Sequence, residues 1–217
     1  MRLGFEEIQT PFLSGSQSAR KWTEDWAAAH LYCLACGADS VSPYENNRPV
    51  ADLHCEDCSE EYELKSTKAR FGRKVTDGAF ATMCARLDAK TNPNLLLLRY
   101  DGEDHSVTDL SLVPKFFFTR ELIERRKPLA STARRAGWIG CNILLNKVPA
   151  IGRIEIVRDR SVLPREAVLS SWSRTAFLHE KTPKARGWLI EVLNCVEALG
   201  TSEFTIDDAY GFTRQLQ

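Results

Sequence analysis

A chain of 217 residues, 43% hydrophobic and 27% charged, is long enough to bury a substantial core, and that composition argues against disorder. Its start, MRLGFEEIQT, has acids where a signal peptide needs a basic end and an apolar run, and no window approaches 18 consecutive apolar residues, so a cytoplasmic protein with no membrane partner is expected. The formal net charge of zero conceals an asymmetry: residues 1–64 carry twelve acids to four bases and residues 112–160 eleven bases to four acids, which suits divalent cations at one end and polyanions at the other, or two solvated faces.

Trp22, Trp26 and Ala29 recur at helical spacing, which predicts a helix over residues 17–31 with Ser16 as its N-cap. A cysteine-bearing loop follows, then two short strands, Val50 to His54 and Tyr62 to Ser66, economically paired as a hairpin. Thr76 is placed to cap a helix through about Ala89, with Phe80, Met83, Cys84 and Leu87 on one face and the turn KTNPN at its end. Leu95 to Leu98 is an unbroken apolar run, and Val107 to Val113 and Ile151 to Val157 read as further strands. Helices before and between strands indicate an α/β domain with a mixed sheet over residues 1–182.

A second unit, 183–217, opens at Thr182 and Pro183. Trp188, Leu189, Val192, Leu193, Val196 and Leu199 share a helical face, Gly200 stops the helix, and Thr205 with Asp208 resembles a capping box. Two helices joined by a short turn begin a helix-turn-helix or winged-helix module, and the sequence stops at Gln217 before a third helix or a wing, so an incomplete winged helix is expected.

Two chemistries interleave between Cys33 and Lys65. Cys33, Cys36, Cys55 and Cys58 form C-x2-C-x18-C-x2-C, inside the zinc-ribbon range, because a two-residue spacer lets both sulfurs of a tight turn face one ion. A redox motif or unrelated core cysteines are the rival readings. Four thiolates close the coordination shell, so this zinc would be structural. The seven cysteines are an odd number, with Cys84, Cys141 and Cys195 read as small core residues in a reducing compartment.

Glu63 and Lys65 are two apart on a strand and so share a face, with apolar Leu64 turned the other way and Asp52 on the preceding strand opposite them. The Asp52 and Glu63 carboxylates with the Leu64 carbonyl are the hard oxygen ligands magnesium prefers, and Lys65 would orient or activate a water. Acid-x-Lys triplets also arise by chance, as Asp88-Ala89-Lys90 does, and the alternative is a salt-bridged strand edge. Arg134 and Arg135 beside Gly137 and Trp138 combine phosphate-binding forks with an aromatic ring, or are a solvated pair next to a core tryptophan.

The stretches TEDW, ENNRPVAD, CSEEYELKS, DGAFATM, RKPLASTARRAGWIGCNI, RGWLIEVLNC and SEFT resemble the DpnI-type methyl-directed restriction endonucleases, in register from about Ser16 to the C-terminus. The resemblance implies a PD-(D/E)XK nuclease domain with an embedded zinc site, followed by a winged helix, both reading G-A-T-C sequences with methylated adenine. It implies that Asp52, Glu63 and Lys65 are catalytic, that Cys33, Cys36, Cys55 and Cys58 bind zinc, and that Arg134 to Trp138 enters the DNA with Trp138 near the methylated base. The expectation is therefore a magnesium-dependent type II deoxyribonuclease acting as a monomer on double-stranded DNA. The alternative is a zinc-ribbon DNA-binding module whose nuclease centre is idle because the winged helix is truncated.

Overall fold

The computed structural model describes residues 1–5, 15–44, 51–201 and 203–212. A helix α1 (Gly15–His30) leads into two very short strands, β1 (Ser42–Pro43) and β2 (Leu53–His54), and a longer one, β3 (Glu61–Thr67). β4 (Val75–Ala79) and α2 (Phe80–Asp88) then carry the chain to β5 (Asn94–Tyr100), which pairs in parallel with β3 from Tyr62–Asn94 to Thr67–Arg99. A parallel neighbour requires such a crossover, since no tight turn can return the chain to the same end of the sheet. β6 (Val107–Val113), β7 (Ile123–Arg125), β8 (Gly140–Ile143), β9 (Ile154–Arg158) and β10 (Ser161–Val162) complete the strands.

The strands form two sheets. Seven assemble in the order β1-β2-β3-β5-β6-β9-β10, antiparallel except for β3 and β5, and three assemble as β4-β8-β7. The architecture is the expected mixed α/β sheet flanked by helices. Leu95, Leu96, Leu97 and Leu98 are all buried, which explains why the central strand reads as an uninterrupted apolar run rather than an alternating one. α1 lies against β3, where the Thr23 and Ser66 hydroxyls meet at 2.9 Å, and α3 (Arg165–Thr175) lies against β9. Phe116 packs edge-on to Trp172 of α3, with ring centres 5.4 Å apart.

Three local expectations are corrected. In α1, described from Gly15, the Ser16 backbone is already helical where an N-cap residue would not be, and Val50 lies outside the described residues. Thr76 caps no helix: Val75 and Thr76 pair with Ile143 and Asn142 of β8, and α2 begins only after a register shift between Asp77 and Ala79. β9 begins at Ile154 because Ala150–Gly152 is a 3-10 turn packed against Phe117, where a Cβ on Gly152 would come within 2.8 Å of the ring.

The C-terminal unit forms as its punctuation predicts. In α4 (Pro183–Leu199) the Thr182 hydroxyl accepts from the Ala185 amide, Pro183 opens the helix, and Gly200 closes it at φ +68°. Thr205 and Asp208 bond reciprocally at the start of α5 (Ile206–Tyr210), as a capping box should. The buried face of α4 keeps part of the expected one, with Leu189 and Leu193 packed against the core, but it turns away from Trp188. Arg186, Ile190 and Cys195 are buried while Trp188 is 55% exposed, because the helix meets the domain through the 3-10 turn Lys115–Phe117 and through Asn194, which donates to the Lys147 carbonyl.

Candidate active site and metal centre

Cys33 and Cys36 lie on one turn and Cys55 and Cys58 on another, and the two turns repeat each other bond for bond. Cys33 N donates to Ala38 O and Gly37 N to Cys33 O; five residues apart in the same way, Cys55 N donates to Glu60 O, and Ser59 N to Cys55 O. The fifth position of each turn is left-handed, Gly37 at φ +79° and Ser59 at φ +60°. Each turn so aims two sulfurs at one point, and all four sulfurs lie within 4.8 Å of one another. Cys33 to Cys58 is 3.5 Å and Cys36 to Cys55 3.7 Å, close to the roughly 3.8 Å that tetrahedral zinc with ~2.3 Å Zn–S bonds requires. The cluster could bind zinc. Burial pushes the Cys33 thiol up, but the Cys36 amide and the Tyr62 hydroxyl, 3.1 Å away, outweigh it and bring Cys33 down to about 7, nearer the thiolate a metal needs.

The second turn leads from β2 into β3, and this connection sets the acids. Leu53 pairs with Tyr62, and Asp52, one residue earlier, continues the ladder by donating its own N–H to Tyr62 O at 2.9 Å. Its side chain then takes over the backbone's role: Asp52 Oδ2 accepts from Leu64 N at 2.8 Å, while Oδ1 is held by Arg20 Nη2 of α1 at 2.6 Å. Arg20 also binds Glu24, one turn along the helix. Burial and the adjacent Asp52 carboxylate raise Glu24 above the ordinary carboxylate range despite the guanidinium.

Glu63 and Lys65 share a face of β3 as their spacing predicts, with the Lys65 ammonium 2.5 Å from Glu63 Oε1. The same ammonium reaches Asp77 Oδ1 at 2.7 Å, on β4 of the other sheet. Burial would lower Lys65, but Glu63 and Asp77 together hold it above its usual range. Burial likewise opposes ionisation of Asp77, whose contact with Lys65 prevails and keeps it below the carboxylate range. Asp77 is therefore the ionised partner, and Glu63 is pushed up to about 8 by burial and by the Asp77 charge, against the pull of Lys65.

A consequence can be measured in magnesium-free buffer. A folded-state pKa above the unfolded value means stability that is complete at acid pH and is lost as pH rises through the folded value. The contribution of Glu63 is thus full near pH 4 and gone above about 8. Melting temperatures of the parent should fall across this window more steeply than those of Glu63→Gln; parallel curves would remove Glu63 as the titrating group.

Between β7 and β8 the chain makes an exposed loop. Arg125, Arg126, Lys127, Arg134 and Arg135 are five bases in residues 125–138 with no acid among them. Leu129 N donates to Trp138 O and Gly137 N to Leu129 O, closing the loop on itself with Gly137 at φ +77°. Arg135 lies 4.7 Å over the Trp138 ring, and the ring lies across Gly140, where a Cβ would come within 2.8 Å of it. Trp138 is half-buried rather than a core residue. The following Cys141 pairs with Asp77, so the loop springs from the strand beside the acids.

A family model for the Dam-replacing, or DpnI, family matches residues 1–181, and a model for the Dam-replacing HTH domain matches residues 184–217. The chain belongs to the Dam-replacing family. Membership in it suggests a methyl-directed restriction endonuclease, and the HTH match implies DNA binding. No helix among the described residues is long and apolar enough to cross a membrane. Sequence reasoning singled out Asp52, Glu63 and Lys65 but not Glu24 or Asp77, the acids that complete their ion pairs. Both missed acids fall in stretches that carry the family likeness, TEDW and DGAFATM.

Proposed function

We propose that this chain is a magnesium-dependent type II endonuclease of PD-(D/E)XK type that hydrolyses phosphodiesters of double-stranded DNA at G-A-T-C sites with methylated adenine. Residues 1–182 would be the nuclease domain and 183–217 a DNA-binding domain. The observation that carries the reading is the hairpin geometry, in which Asp52 extends the β2–β3 ladder so that its carboxylate and the Glu63–Lys65 pair flank one short stretch of β3.

Asp52, Glu63 and the Leu64 carbonyl supply only hard oxygens, the donor set that suits magnesium. A cation held by them lends Lewis-acid chemistry, acidifying a bound water and stabilising charge on the phosphoryl oxygens. Lys65, clamped by Glu63 and Asp77, keeps its proton, so its role is to orient the attacking water and to oppose developing negative charge rather than to remove a proton. Zinc at Cys33, Cys36, Cys55 and Cys58 is structural, fixing the loop from which Asp52 projects. Arg134 and Arg135 contact phosphate or guanine edges, and Trp138 packs against the adenine methyl by dispersion.

Methylated and unmethylated copies of one plasmid, incubated with and without magnesium, test this. Cutting of the methylated copy alone, with magnesium alone, is the expected result. Binding without any magnesium-dependent cutting would select the DNA-binding module with an idle centre instead.

A further inference from the structure

The Asp52 carboxylate has two oxygens, and the structure commits both. Oδ2 accepts from the Leu64 amide at 2.8 Å, a bond that continues the β2–β3 ladder. Oδ1 is held from outside by the Arg20 guanidinium at 2.6 Å, with the Glu24 carboxyl beside it. The two partners differ sharply in exposure: the Asp52 side chain is 9% exposed and that of Arg20 65%. Arg20 therefore lies as a cover over a buried oxygen, on a long side chain free to swing outward. It also binds Glu24, so one guanidinium neutralises two neighbouring carboxylates.

Resting on the reading that Asp52 holds a divalent cation, we propose that Arg20 and that cation are alternative partners of Asp52 Oδ1, and that the displaced guanidinium pairs with a DNA phosphate. Electrostatics and geometry support both halves. A divalent ion offers the carboxylates twice the charge of arginine, and a guanidinium released at the rim of the site meets a polyanion whose oxygens match its planar fork. Arg20 is then a positioning residue that keeps the acids compensated until metal and DNA arrive together. Each of the two favours binding of the other, since the phosphate rewards the release of arginine that the metal causes.

The test uses the full chain and three variants, Arg20→Met, Arg20→Lys and Asp52→Ala. Manganese binding is followed by electron paramagnetic resonance without DNA, and duplex affinity is measured in calcium across a salt series. Arg20→Met should bind manganese about fivefold more tightly than the parent, the scale of one or two partly exposed ion pairs removed. Arg20→Lys should fall between them. The slope of log affinity against log salt for duplex DNA should drop by about one in Arg20→Met, as loss of one phosphate contact predicts. Unchanged or weaker manganese binding in Arg20→Met overturns the competition, and an unchanged salt slope overturns the phosphate contact. If parent and Arg20→Met bind manganese no better than Asp52→Ala, the cation reading of Asp52 itself falls, and the proposal with it.

Discussion

Lys65→Ala and Asp52→Ala proteins should cut methylated plasmid at least about 10²- to 10³-fold more slowly than the parent, the cost of removing one preorganised electrostatic partner of a reaction centre. The two losses have different structural costs. Asp52→Ala frees the Leu64 amide and the Arg20 guanidinium, both at the edge of the hairpin. Lys65→Ala leaves Asp77, whose side chain is 3% exposed, as an uncompensated buried charge, which typically destabilises by about 3 kcal/mol. Activity lost through unfolding is separated by Lys65→Met combined with Asp77→Asn, which removes the stranded charge. That double variant should melt closer to the parent than Lys65→Ala does and still fail to cut. Parent-like cutting by Asp52→Ala and Lys65→Ala would end the assignment of the centre.

Cysteine replacement should have the largest effect on stability. Metal analysis of the reduced protein should return one zinc per chain, and less would sink the zinc assignment. Structural zinc in small zinc modules contributes on the order of 10 kcal/mol, so Cys55→Ala should melt far below the parent and lose its metal. Cys195→Ala, a buried thiol outside the cluster, should retain zinc and lose only about 1 kcal/mol for the small volume removed. The reason for so large a difference lies in the strands: β1 and β2 are two residues each and cannot hold a hairpin by their own bonds. Asp52 is three residues from Cys55, so cutting should fall with the metal.

The cysteine framework and the Asp52, Glu63, Lys65 set were legible because their chemistry is carried by spacing along one strand or one turn. The bonds within each CxxC turn are local, and Glu63 and Lys65 need only the alternation of a strand to share a face. Asp77 was not legible, because Val75 to Ala79 has no apolar alternation of its own. It is a strand only by pairing with β8, more than sixty residues away, and Thr76 before an apolar periodic run imitates a helix cap. Glu24 lay hidden for a related reason, since an acid on the polar side of an amphipathic helix looks solvated until the partner strand is in place. Trp188 shows the opposite failure. Helical periodicity identified an apolar face on α4, but which side is covered depends on Phe116 and Phe117 in a distant turn.

Lys65 joins two sheets that, among the described residues, share no strand pairing, Glu63 on one and Asp77 on the other. At 2.7 Å the Asp77 contact has little slack: a slide of the small sheet by about 1 Å takes it past the ~3.2 Å limit of a hydrogen bond. The ammonium thus reports the spacing between two bodies, and side chains of the apolar core help to set that spacing. Met83 and Leu87 of α2 are buried in the core, and α2 packs on the strands β4, β7 and β8. The interior of this protein, as much as its surface, tunes where the charge at its centre stands.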